Sequence, residues 1–195
     1  MITDSDFKEI IQREGSANPP MEMIDRILEL ADTITLRPGG ILIPFGKIDT
    51  DLYIVRDGVL QLLYLVKDKE QIFGFAPPGT FLCSLHSTYM RKPTVMQIES
   101  CKTSSTVLRL TAQQVEDLKR ESPFFTHWLL DLALYRLYTL EPKLTLINGT
   151  AEDRYMNLLR HRPDIVNSIS SKRLAQYLNV TPSWLCKIRK KLLYE

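Results

Sequence analysis

The sequence has few of the residues that build disulfide-stapled, metal-bound or membrane-embedded proteins. Its three cysteines, Cys83, Cys101 and Cys186, are widely spaced and form no CxxC pair, so they read as reduced thiols rather than a disulfide framework. An iron–sulfur cluster normally takes four thiolates from one chain, which this chain does not supply. The histidines, His86, His127 and His161, are equally scattered. With neither HxH nor HExxH to gather a metal, no metal and no cofactor are expected. No apolar run approaches the roughly 18 residues of a membrane-spanning helix, so no membrane partner is expected. The opening Met1-Ile2-Thr3-Asp4-Ser5-Asp6 is acidic and lacks the basic-then-apolar order of a signal peptide, which favours the cytoplasm.

What is present points to a globular protein. Hydrophobic residues make up 44% of 195, enough to bury a core in one large or two small domains. The net charge of +2 conceals an asymmetry: residues 150 to 195 hold nine Lys/Arg against four Asp/Glu, leaving 16 against 19 in the rest. Clustered like charge is usually a solvated face, but here it falls on a specific motif.

The texture changes twice along the chain. Two short helices are predicted at the start, around Asp6 to Arg13 and Pro20 to Ala31, where Met23, Ile24, Ile27, Leu28 and Ala31 keep helical spacing. From Thr33 to Leu110 short β-branched or aromatic runs alternate with turns such as Arg37-Pro38-Gly39-Gly40, Arg56-Asp57-Gly58 and Pro77-Pro78-Gly79. That pattern predicts an antiparallel barrel or jelly-roll. After Thr111, a candidate N-cap, the chain reads as helical, and Phe125, Leu129, Leu132, Leu137, Leu140, Leu144 and Ile147 make Phe124 to Ile147 strongly apolar. Such a helix lies on its own β-domain or pairs with the same helix of a second subunit. Pro142, which removes a backbone hydrogen bond, predicts a bend near Glu141.

The most demanding test is at the C-terminus, SSKRLAQYLNVTPSWLCKIRKKL from Ser170. Counted from Ser171, a helix-turn-helix wants small or aliphatic residues at the fourth, fifth, eighth, tenth, fifteenth and eighteenth places. Leu174, Ala175, Leu178, Val180, Leu185 and Ile188 supply all six. Ala175 is small where the second helix crosses, while Leu185 and Ile188 fasten that helix to the core. Ser170 or Ser171 caps the first helix, and Pro182 fits the first turn of the second. Asn179 stands where glycine is common and accepts a left-handed backbone. Trp184 reads as a buried or interdomain anchor. The outward residues Thr181, Pro182, Ser183, Cys186, Lys187, Lys190 and Lys191, with Ser170, Ser171, Lys172 and Arg173 on the preceding helix, suit a DNA surface. Hydroxyls and lysines bond phosphates, and Lys187, one turn past Ser183, is placed to reach a guanine edge. The competing reading is an amphipathic hairpin with a solvated basic face.

The order of a β-roll with Pro-Gly turns, a long apolar helix and a terminal helix-turn-helix resembles the Crp/Fnr family of transcription regulators over nearly the whole chain. Arg37-Pro38-Gly39-Gly40-Ile41-Leu42, Phe45-Gly46, Tyr53 to Val59 and Phe73 to Phe81 look like that family's roll turns, and Thr150 to Leu159 like the helix opening its DNA-binding domain. The resemblance implies an α+β protein: an N-terminal antiparallel, jelly-roll-like β-roll sensor domain (1–120), a dimerisation helix (121–148) and a C-terminal winged helix-turn-helix domain (149–195). It implies a homodimer joined through Phe125, Leu129, Leu132, Leu137, Leu140 and Leu144, bound to double-stranded DNA, with RNA polymerase as a partner if the protein activates. It also implies a small-molecule effector, with Gly79, Phe81, Cys83, Ser84, Arg91 and Thr94 around its pocket.

Members that bind cyclic nucleotides carry Gly-Glu-Leu after this Pro-Gly, then an Arg followed by Ser or Thr. Here Cys83 and Ser84 occupy the Gly and Glu places, and Lys92-Pro93-Thr94-Val95 stands where the Arg belongs. A buried cyclic phosphate would lack its charge partner, so cAMP is not the expected effector. A haem would need Cys83 or His86 as axial ligand, whereas Cys83 reads as a small core residue. An enzyme of the cupin type would need the missing HxH, so no enzyme activity is expected. The alternative from another class is a cyclic-nucleotide-responsive module acting through protein contacts.

Overall fold

The computed structural model describes the backbone of residues 2–147 and 149–193 and, within these, the side chains outside 141–147, 164 and 192–193. Two helices open the chain, α1 (Asp4–Gln12) and α2 (Met21–Leu30), as their spacing predicted. Thr3 caps α1 by accepting from the Asp6 amide. Eight strands follow: β1 (Asp32–Leu36), β2 (Ile41–Ile43), β3 (Leu52–Asp57), β4 (Leu60–Val66), β5 (Lys69–Ala76), β6 (Phe81–Leu82), β7 (Met96–Ser100) and β8 (Ser105–Leu110), with α3 (Leu85–Thr88) between β6 and β7. They pair antiparallel into two four-stranded sheets, β1-β8-β3-β6 and β2-β7-β4-β5. Leu36, Ile43, Tyr53, Val55, Leu60, Ala76, Leu82, Ile98 and Val107 fill the roll.

Gly79 shows how the first helix is seated on this roll. Its φ is +86°, and a Cβ there would lie 2.3 Å from Cγ2 of Ile10. Only glycine admits both that backbone and the close approach of α1. Behind this contact, Phe7 and Ile11 of α1 and Ile24 and Ile27 of α2 form one core with Ile54, Leu108 and Leu110 of the roll.

Thr111 caps α4 (Ala112–Glu121) in a reciprocal capping box with Gln114. Helix α5 (Pro123–Ile147) continues through Pro142, so the proline does not end it. Its inner face corrects part of the expected pairing seam. Phe125 and Trp128 are fully buried and Leu132 nearly so; all three lie in the core with α1 and α2, and Leu129 packs against it. Trp128 meets Phe81 edge-on at 5.1 Å. The face left to solvent keeps Leu137 of the expected set and adds Leu130, Leu134 and Tyr138. Leu140 is half-buried, and the Leu144 side chain lies outside the described residues.

Four helices complete the chain: α6 (Ala151–His161), α7 (Pro163–Ser168), α8 (Ser171–Tyr177) and α9 (Pro182–Leu193). They share a second core of Tyr155, Leu158, Ile165, Val166, Ile169, Leu174, Ala175, Leu178, Leu185 and Ile188. Among the described residues every strand precedes Thr111, so the wing expected beside this unit is absent there: α9 itself occupies the chain out to Leu193. No helix among the described residues is long and apolar enough to cross a membrane.

Candidate nucleic-acid interface

The helix-turn-helix is built as its sequence dictates. Ser170, not Ser171, caps α8, its Oγ accepting from the Arg173 amide at 3.3 Å. Helix α8 turns at Asn179, whose φ of 55° lies in the left-handed region. Thr181 Oγ1 accepts from the Trp184 amide at 3.2 Å, with Pro182 in the first turn of α9. Of the six expected core positions, Leu174, Ala175, Leu178, Leu185 and Ile188 are buried in one cluster, with Val180 and Trp184 packed at its edge.

Two arginines that the sequence reading left out brace the helix-turn-helix. Arg154 of α6 donates to the Leu178 carbonyl at 2.9 Å and to the Gly149 carbonyl at 2.8 Å, closing the end of α8. Arg189 of α9 donates to Tyr155 Oη at 3.2 Å and to Ser171 Oγ at 3.0 Å, tying α9 to both neighbouring helices. A basic residue on the inner side of a helix looks like any other cation until its partners are known.

The outward face is open. Thr181, Pro182, Ser183, Cys186, Lys187, Lys190 and Lys191 are all exposed on or beside α9, as are Ser170, Ser171 and Lys172 at the start of α8. Ser183, Lys187 and Lys190 recur at one-turn spacing along one side of the helix. Lys191 points aside and pairs with Glu152 at 3.0 Å.

Arg173 departs from the expected set. Its guanidinium turns away from the α9 face toward the roll. It donates to Glu99 Oε1 at 3.1 Å and lies 3.6 Å from a Glu70 carboxylate oxygen. The physical reason is a polar row across the outer face of the second sheet, where Phe75 pairs with Gln61 and Gln61 with Glu99. Glu99 is only 7% exposed and accepts from the side-chain amides of Gln61 and, at 2.8 Å, Gln97. Arg173 and Tyr177, one turn apart on α8, meet this row together, with Tyr177 against Phe75 at 5.3 Å between ring centroids. Cys101 lies in the same contact, and burial pushes its thiol up to about 12.

Of the six residues expected around an effector, Gly79, Phe81, Ser84 and Thr94 are engaged within the chain. Gly79 faces Ile10 and Phe81 faces Trp128. Ser84 is buried as the cap of α3, accepting from the Ser87 amide. Thr94 Oγ1 donates to the Met96 carbonyl at 3.0 Å. Cys83 is half-buried, and burial, followed by the Asp49 charge, raises its thiol pKa. Arg91 is exposed with a left-handed backbone. Two clefts lie between the roll and the C-terminal helices. One, about 460 Å³, runs past Ile2, Ile10, Asp57, Pro78 and Arg162; the other, about 200 Å³, past Gly39, Gln61, Glu99, Ser170 and Arg173. None of the six expected pocket residues lines either cleft. Among the described residues no group of His, Cys, Asp and Glu side chains is arranged to hold a metal.

No family model matches the sequence, and no curated protein matches it. Solved structures do. FixK2 from Bradyrhizobium japonicum superimposes with a TM-score of 0.72 at 17% identity, covering 84% of this chain and 85% of FixK2. The c-di-GMP responsive global regulator CLP from Xanthomonas campestris gives 0.70 at 16% identity, covering 90% of this chain and 92% of CLP. The catabolite activator protein of Thermus thermophilus gives 0.56 at 18% identity, covering 89% and 83%. Roll, connecting helix and helix-turn-helix follow one another here in the order the sequence announced, and the chain has the fold of the Crp/Fnr regulators.

Proposed function

We propose that this chain is a sequence-specific, DNA-binding transcription regulator of the Crp/Fnr type, acting as a homodimer on a near-palindromic site. The observation that carries the reading is the division of α9. Leu185 and Ile188 are packed against the helical core, while Ser183, Lys187 and Lys190 face outward. Lys172, Lys187 and Lys190 have no carboxylate partner among the described residues. In this reading Ser183 and Lys187 enter the major groove and contact base edges, while Lys172 and Lys190 bind phosphates. The apolar stripe of Leu130, Leu134 and Leu137 on α5 alternates by four and three residues, the spacing of a two-helix seam. Pairing two subunits through it sets the two α9 helices roughly 34 Å apart, one turn of duplex. The effector, in this reading, is not cAMP: Cys83 and Ser84 put no carboxylate where a ribose would be held.

The test is a titration of duplex DNA with the full chain at several salt concentrations. The four phosphate-binding lysines of a dimer, Lys172 and Lys190 of each subunit, give a slope of log K against log salt of about −4. A slope near zero, or no binding at low salt, contradicts the proposal.

A further inference from the structure

We propose that Glu99 latches the helix-turn-helix to the roll by holding Arg173, and that DNA must take this arginine from it. The inference rests on the DNA-binding reading above. In a helix-turn-helix the first helix crosses the phosphate backbone, and Arg173 lies in the first turn of that helix. In the structure its guanidinium is committed to two carboxylates, Glu99 at 3.1 Å and Glu70 at 3.6 Å. A single guanidinium cannot neutralise these and a phosphate together. Recognition helix α9 and Lys172 are therefore open while the phosphate contact of Arg173 is occupied.

Glu99 is suited to holding and releasing. Gln61 and Gln97 keep donating to it whether or not Arg173 is present, which softens the penalty of leaving a buried carboxylate without its cation. Around it the contact is small and partly polar. Tyr177 touches Phe75, Gln176 donates to the Glu70 carbonyl, and the cleft of about 200 Å³ beside Glu99 and Arg173 admits solvent. Such a contact suits a two-state element: the Arg173 ion pairs, one Gln176 hydrogen bond and one ring contact decide between docked and free.

The experiment compares the full chain with Glu99→Gln, Arg173→Gln and Glu70→Gln. It measures amide hydrogen exchange over α8 and β5 without DNA, and the Kd for a random-sequence duplex. Glu99→Gln is expected to speed exchange in both segments and to tighten duplex binding about tenfold, because the docked state no longer competes. Arg173→Gln is expected to speed exchange equally without tightening binding, since the phosphate ligand is lost too. Glu70→Gln, a half-exposed partner outside the core, is expected to act in the same direction as Glu99→Gln by about two- to threefold. Unchanged exchange, or weaker binding by Glu99→Gln with exchange raised, overturns the latch while leaving the DNA reading intact. Raised exchange in chains that, like the parent, bind no duplex overturns the DNA reading and the competition with it.

Discussion

Replacing Leu134 by alanine should separate the subunits without unfolding either one. Leu134 is 55% exposed on α5, so about half of its side chain gains cover only when a second subunit arrives. Burying a whole leucine contributes about 1.5–3 kcal/mol, and the exposed half therefore about 0.8–1.5 kcal/mol. A two-fold interface uses every residue twice, so the truncation loses about 1.5–3 kcal/mol of association, roughly 10- to 150-fold in Kd. Sedimentation over a concentration series reads this directly. Phe125→Ala is the control in the same helix. Phe125 is fully buried against Trp128 in the subunit's own core, so its truncation costs about 3–5 kcal/mol of folding stability and lowers Tm by roughly 10 °C. Below the melting range its dimer Kd should stay near that of the parent. If Leu134→Ala associates as the parent does while Phe125→Ala dissociates, the seam has been placed on the wrong side of the helix.

Other perturbations follow from the same structure. Lys187→Ala should cost about 1–3 kcal/mol per half-site and relax preference at one base pair in each, whereas Lys190→Ala should weaken all duplexes alike and reduce the salt slope of the dimer by about 2, one for each subunit; binding to single-base variants of the site separates the two. Asn179→Val should destabilise the C-terminal unit by about 1–2 kcal/mol because of its left-handed backbone, with Asn179→Gly neutral or nearly so, as denaturant melts would show. Iodoacetamide at pH 8 should modify exposed Cys186 and spare Cys101. With its pKa near 12, about one Cys101 thiol in ten thousand is ionised at that pH. Its rate should rise about tenfold per pH unit up to that value if the fold persists, and parity between the two cysteines at pH 8 would refute the burial of Cys101.

Local chemistry made much of this fold legible in advance. Thr111 and Pro182 sit where helix starts place them, Asn179 takes the backbone that few other residues accept, and six apolar positions at fixed spacing close on one another. Each of these is decided within a few residues of sequence. The misreadings have the opposite character. Helix α5 is apolar around its circumference, so periodicity could not say which leucines face the subunit's own core and which face away; the placement of α1 and α2 decided that, taking Phe125 and Leu132 inward. Arg173 reads in the sequence as one more outward cation at the start of α8. Its partner Glu99 stands 74 residues earlier on the outer face of a sheet, and only the docking of α8 brings them together. The segment from Cys83 to Thr94 likewise looked like a pocket because of where it falls in the family pattern. Within it Ser84, Ser87 and Thr94 are bonded to their own neighbours in the chain, while Leu85, Tyr89 and Met90 stand exposed.

The most direct measurement is selection of bound duplexes from a random-sequence library by the 195-residue chain, followed by sequencing. A dimer presenting α9 to successive grooves should enrich a near-palindrome whose half-site centres lie about 10–10.5 base pairs apart, roughly 34–36 Å. A library left unenriched at low salt, or enriched for a single motif with no paired half-site, would contradict it.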